Sequence, residues 1–204
     1  MKYFFPLLLI FILTVSNTTA QFGQNHAIYL SNELNVGNYL GTDMGINYVY
    51  KEKYSFKFSY TGSIRKSYKI PDDYFSGLVR LSLLFFNGPY DEINTYKIEA
   101  GKIYKFNKKG TIRLNLALGI GYSTIREPEN WKKVNPSGLV DENYTYEYQS
   151  FNNISFTLSP KIEFPVSRIY GFTVSPMLQV SGKRTYYGFG FGSMLGLLRK
   201  KNKK

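Results

Sequence analysis

YSFKFSYTGSIRK (residues 54–66) alternates from end to end. Tyr54, Phe56, Phe58, Tyr60 and Ile64 fall on one side, and Ser55, Lys57, Ser59, Thr61, Ser63 and Arg65 on the other. Period two is the mark of a β-strand with two unlike faces. A water-soluble sheet turns the aromatic face into its core; a barrel in a lipid bilayer turns it outward and encloses Lys57. The choice between these faces decides the fold.

The same pattern recurs along the chain. In residues 39–50 Leu40, Thr42, Met44, Ile46, Tyr48 and Tyr50 oppose Gly41, Asp43, Gly45 and Asn47. In 111–124 Ile112, Leu114, Leu116, Leu118, Ile120 and Tyr122 oppose Arg113, Asn115, Ala117, Gly119 and Gly121. Stretches 153–164, 170–180 and 185–198 behave alike, and 26–36 and 94–106 follow more weakly. Three connectors are short and hydrophilic, KEK (51–53), NKKG (107–110) and PVSR (165–168), and two near 37–38 and 183–184 are tight. Two are long, 67–93 and 126–150. With the short trio on one side, the count is eight strands, an even number with short turns at one end and longer loops at the other. LVRLSLLFF (78–86) would make a ninth strand and break the alternation of sides, so it is assigned to the outer loop as a short helix or loop hairpin.

Composition agrees with β-structure. Of the 204 residues 18% are aromatic, with 19 Tyr and 16 Phe against one Trp, and 18 are Gly. There is no cysteine and a single histidine, His26, which removes disulfides, thiolate metal sites and histidine-rich centres from consideration. Residues 1–20 read as a cleaved signal peptide: Lys2, an apolar FFPLLLIFILTV, and a small-residue site at TTA. The apolar run is too short to span a bilayer, and no other segment is a candidate transmembrane helix. The formal net charge of +12 falls to +11 when Lys2 is removed.

Volume and charge choose the face. The interior of an eight-stranded barrel is just wide enough to be filled by side chains. The bulky face of Phe, Tyr, Leu and Ile would overfill it; the Gly, Ser, Ala and Asn face would not. That small face carries Glu33, Asp43, Lys57, Lys97, Glu99, Arg113, Lys161 and Glu163, four of each sign, a set able to form a paired network in a lumen that conducts little. The expected fold is therefore an all-β, eight-stranded, antiparallel up-and-down transmembrane barrel over residues 21–198, followed by a basic periplasmic tail, 199–204. Lys102 falls on the lipid face, where a bulge at Gly101 or snorkelling would relieve it. Pro160 and Pro176 lie opposite each other about a turn centred at residue 168, which predicts a local bulge. A soluble, secreted, lipocalin-like binding barrel is the alternative fold.

Patterning and topology over the whole mature chain resemble the small eight-stranded outer-membrane barrels of Gram-negative bacteria, the group of the OmpX and OmpA membrane domains. PDDY (71–74) and REPENW (126–131) also look like members of the outer-membrane β-barrel protein family. The resemblance implies residence in the outer membrane, assembly through the barrel-insertion machinery, and contact with outer-membrane lipid and lipopolysaccharide. It carries over no catalytic residue and no cofactor.

The residues offer little chemistry. His26 opens the first strand at the periplasmic end, the wrong side for outer-leaflet lipid modification, so a girdle or capping role is expected. No G-x-S-x-G elbow occurs, and GFGFG (188–192) alternates within a strand with no helix after it, which reads as packing. Export argues against nucleic acid as a partner. The most recognition-like surface is 126–150, where Trp131, Tyr144, Tyr146 and Tyr148 stand among mixed charges on an expected outer loop. The functional expectation is a non-enzymatic barrel that supports the envelope or binds through its outer loops, with a lipid-modifying enzyme as the alternative.

Overall fold

The computed structural model describes residues 26–76, 88–107, 110–136, 138 and 141–198. The expectations for 1–20, 78–86 and 199–204 lie outside the described residues. Eight strands follow one another: β1 (His26–Gly37), β2 (Leu40–Tyr50), β3 (Tyr54–Lys66), β4 (Tyr90–Lys105), β5 (Arg113–Lys133), β6 (Tyr144–Phe164), β7 (Tyr170–Ser181) and β8 (Thr185–Leu197). Each pairs antiparallel with the next, and β8 closes on β1, so the barrel has no free edge within this ring.

Stagger sets the tilt. The row of opposed residues leaving β1 at His26 passes Tyr50, Tyr54, Lys102, Leu116, Pro160, Pro176 and Phe189 and returns to β1 at Val36, ten residues on. At ~4.8 Å between strands and ~3.3 Å rise per residue, that stagger tilts the strands by about 40°.

The alternation of residues 54–66 is resolved without exception over its first half. Phe58 is 54% exposed on the outside, and its neighbour Ser59 is 1% exposed inside. Around the barrel Ile98, Leu118 and Phe156 stand outward at 61%, 67% and 64%. A continuous apolar belt of this kind has no place on a soluble monomer, whose exposed apolar patches rarely exceed a few hundred Å². Tyr48, Tyr50, Tyr54, Tyr104, Phe106 and Tyr170 ring its lower end beside the short turns, as an interfacial girdle does. His26 joins that ring: its Nδ1 lies 2.7 Å from the Tyr48 hydroxyl, and its ring centroid 5.5 Å from that of Tyr50.

Two expectations need correction. Residues 126–150 are not a loop, since β5 runs to Lys133 and β6 begins at Tyr144. The alternation of Tyr144, Tyr146 and Tyr148 with Thr145, Glu147 and Gln149 favours strand, and the β4 ladder ends at Arg126, so Pro128 occupies a free edge where its missing N–H costs nothing. No bulge forms at the facing prolines. The β6–β7 register is the same on both sides of them, Leu158 opposite Leu178 and Ile162 opposite Val174, so the ladder is interrupted but not displaced. Of the two ways of relieving Lys102, a bulge at Gly101 or snorkelling, the structure shows the second: Lys102 pairs with Tyr54 at the first residue of β3, level with the girdle, and its ammonium lies 5.2 Å from the Tyr104 ring centroid. Height on the barrel resolves its cost.

Candidate functional site

Two regions hold the polar and aromatic residues singled out above: the lumen and the upper end of β5 and β6. Within the lumen, Asp43 is the hub of the middle layer. Lys57 reaches Asp43 Oδ1, Lys97 Nζ lies 2.9 Å from its Oδ2, and the Thr61 hydroxyl donates to Oδ2 at 2.7 Å. Lys161 donates to Glu33, which also accepts from Thr173 at 3.1 Å and Ser175 at 2.8 Å. Lower down, Glu163 accepts from Arg113 Nε, from the Tyr29 hydroxyl at 3.0 Å and from Asn115 Nδ2 at 3.1 Å. Among the described residues Glu99 makes no direct hydrogen bond. It lies 3.5 Å from Lys57 and 3.9 Å from Lys97, beside a cavity of about 10 Å³, the space of one water.

Sequence reasoning missed what closes the lumen. Ala27, Tyr29, Val49, Ile103, Met194 and Leu198 form an apolar plug below the charges, and Tyr39, Ile93, Ile125, Met177 and Tyr186 form another above them. These residues share the inward parity of the small face, but parity says nothing of volume. A lumen plugged at both ends and neutralised in the middle should pass no ions. Planar-bilayer recordings are expected to show no stepwise conductance, and steps of porin size would contradict the plugged lumen.

Above the belt, β5 and β6 continue as a two-stranded hairpin. Beyond Arg126 and Ser155, the last residues paired with β4 and β7, no described strand pairs with its outer edges; β5 runs on for seven residues and β6 for eleven, ~23 Å for the shorter strand at the strand rise. A register shift between Glu129 and Lys132, with Asn130 at φ 56, re-aims its tip. Trp131, Tyr144, Tyr146 and Tyr148 are brought together here. Trp131 lies 4.7 Å from Tyr146 and 6.2 Å from Tyr144, and Tyr146 lies 5.6 Å from Tyr148, ring centroid to centroid. The segment after β3 folds against them as a strap, with Tyr74 edge-on to Trp131 at 5.5 Å.

That strap is tied down by polar contacts. Asp73 accepts from Lys133 Nζ at 2.6 Å and from the Tyr144 hydroxyl at 2.7 Å, and Phe75 N donates to Asn143 Oδ1 at 2.7 Å. Closer to the mouth Glu127 accepts from Arg184 Nε at 2.7 Å and Lys69 Nζ at 3.0 Å. The hydrogen bond from Lys133, with that from Tyr144, holds the Asp73 carboxyl below its ordinary range. Burial pushes Glu127 upward, but Arg184 and Lys69 outweigh it and hold this carboxyl low as well. Carboxyls lowered by folding contribute stability above their unfolded pKa, and that contribution is lost as pH falls through the folded value. The strap is thus expected to loosen below about pH 4. Trp131, the single Trp, reports it: its emission should shift to the red in acid, and an Asp73→Asn variant should lose most of the pH dependence.

Among the described residues no group of three or more His, Cys, Asp or Glu side chains is placed to hold a metal ion. The closed ring, the outward apolar belt, the aromatic girdle and the enclosed charges define an eight-stranded transmembrane β-barrel.

Comparison with known proteins gives no family model and no curated protein that matches the sequence. Among solved structures the chain is similar to Ail, the attachment invasion locus protein of Yersinia pestis, at 10% identity and a TM-score of 0.47, over 85% of this chain and 97% of that one. It is similar to the N-terminal β-barrel domain of Pseudomonas aeruginosa OprF at 10% identity and a TM-score of 0.44, over 85% and 98%. Neisserial surface protein A gives 13% identity and a TM-score of 0.44, over 85% and 96%.

Proposed function

We propose that this chain is a non-enzymatic barrel of the bacterial outer membrane whose function is to hold the β5–β6 hairpin above the outer leaflet as a binding surface. The observation that carries this reading is the hairpin itself: among the described residues, a rigid barrel continues beyond its lipid belt in two strands, and no described strand pairs with their outer edges. Unpaired strand edges accept further strands, and Trp and Tyr supply contact area at little entropic cost. Trp131 is enclosed by Tyr74, Tyr144 and Tyr146, which gives it the role of holding the surface in shape. Insertion by the barrel-assembly machinery and contact of the rim with lipopolysaccharide belong to the same reading. The plugged lumen, with its network of Glu33, Asp43, Lys57, Lys97, Glu99, Arg113, Lys161 and Glu163, serves as the structural core.

The test is a shortened hairpin. Pro128 and Tyr148 are opposite each other, so removing 129–147 and joining them through an Asn-Gly turn keeps the barrel register. Cells displaying the shortened chain should lose adherence to immobilised matrix protein or to epithelial layers, while lipid A acylation stays the same with and without the protein. Equal adherence of both chains would remove the binding role, and altered acylation would restore the enzymatic alternative.

A further inference from the structure

The excess positive charge has an address. The eight lumen charges named above cancel. Among the described residues above the belt, from Arg65 upward, eight bases face nine acids. The end with the short turns is different: Lys51, Lys53, Lys102, Lys105 and Arg168 stand there against one acid, Glu52. Lys108, Lys109 and the run RKKNKK adjoin the same end in sequence. Among the described residues the barrel is therefore basic at one membrane surface and close to neutral at the other.

The described lysines are held at headgroup height. Lys51 lies 5.1 Å from the ring centroid of Tyr50, Lys53 5.4 Å from Tyr54 and Lys102 5.2 Å from Tyr104, so three ammoniums rest on the girdle. The β2–β3 turn adds a separate observation. Its central residues, Lys51 and Glu52, have φ of 51° and 54°, in the left-handed region, with Lys53 N donating to Tyr50 O at 3.0 Å. Asn-Gly is the usual solution for such a turn, and a long charged side chain there carries strain. Glu52 of this turn pairs with Lys105, so the positive excess at this surface rests on Lys51, Lys53, Lys102 and Arg168.

We infer that the girdle end binds the phosphate headgroups of anionic phospholipids in the periplasmic leaflet. This rests on the membrane orientation of the proposed function and goes beyond it. Each lysine near an anionic surface contributes attraction, and several on one rim select anionic over zwitterionic lipid in their annulus. Among the described residues the upper end carries no such excess of lysine.

The test uses the mature chain refolded into vesicles of phosphatidylcholine with phosphatidylglycerol, then extracted in mild detergent for native mass spectrometry of retained lipid. Phosphatidylglycerol should be retained at about threefold or more above its bulk fraction, a selectivity of the size several interfacial lysines supply. A K51Q/K53Q/K102Q/K105Q variant should fall to the bulk fraction, whereas K66Q/K132Q/K133Q at the upper end should stay enriched. A gel shift between unboiled and boiled samples establishes insertion for every variant separately, so failure of the barrel reading is distinguished from failure of lipid selection. No enrichment in the parent chain, or equal loss in both variants, overturns the inference. So does co-sedimentation with purified cell wall that depends on these four lysines when no lipid enrichment is seen, because it assigns the rim to an anionic polymer.

Discussion

A Glu33→Leu variant will unfold with a stability about 3–5 kcal/mol below that of the parent barrel, measured by urea titration in detergent micelles or vesicles. Lys161, 5% exposed, donates to Glu33 and has no other carboxylate within ion-pair distance among the described residues. Truncating the acid strands a buried ammonium and removes the acceptor of Thr173 and Ser175. The loss comes from the charge left behind. A Glu33→Leu/Lys161→Met variant should therefore recover most of it, since apolar replacements of similar volume for a buried pair are often neutral. Equal destabilisation of the single and double variants would show that the packing at this height, not the charge, is what matters.

Gly192→Val will block closure of the barrel, at a cost of about 3 kcal/mol or more. Gly192 faces Glu33 across the β8–β1 seam, and a Cβ there would stand 2.4 Å from the Asn32 carbonyl oxygen and 2.4 Å from Glu33 Cγ. The first of these is backbone and can yield only by separating the strands that complete the ring. The variant should lose the band shift between unboiled and boiled gel samples. Gly138, where a Cβ would have no neighbour within 4 Å, should accept valine without effect.

Much of this was legible in the sequence because a strand has only two faces. Phe56 and Phe58 were readable as lipid contacts, and Lys57 as an enclosed group, from alternation and interior volume. Pairing within the lumen was not readable. Glu33 and Lys161 belong to β1 and β6, which are not neighbours, and they meet only because the stagger of the ring brings them to one height across the barrel. The plugs escaped notice for a related reason: Tyr29 and Tyr186 have inward parity, but only the packing at the two ends of the lumen shows that there is room for them. The hairpin carried a signal in the strict alternation of Tyr144, Tyr146 and Tyr148 with Thr145, Glu147 and Gln149. The strap onto Asp73 joins residues 60 or more positions apart and left no mark in the pattern.

The aromatic face of residues 54–66 looks into lipid. Depth-dependent quenching tests it in a chain with one Trp: a Trp131→Phe/Phe58→Trp variant is reconstituted into vesicles whose phospholipid carries bromine at mid-chain. Emission from position 58 should be strongly quenched relative to unbrominated vesicles, and emission from Trp131 in the parent chain should be unaffected. Equal emission from position 58 in both lipids, with the protein recovered in the aqueous fraction, would contradict a lipid-facing Phe58.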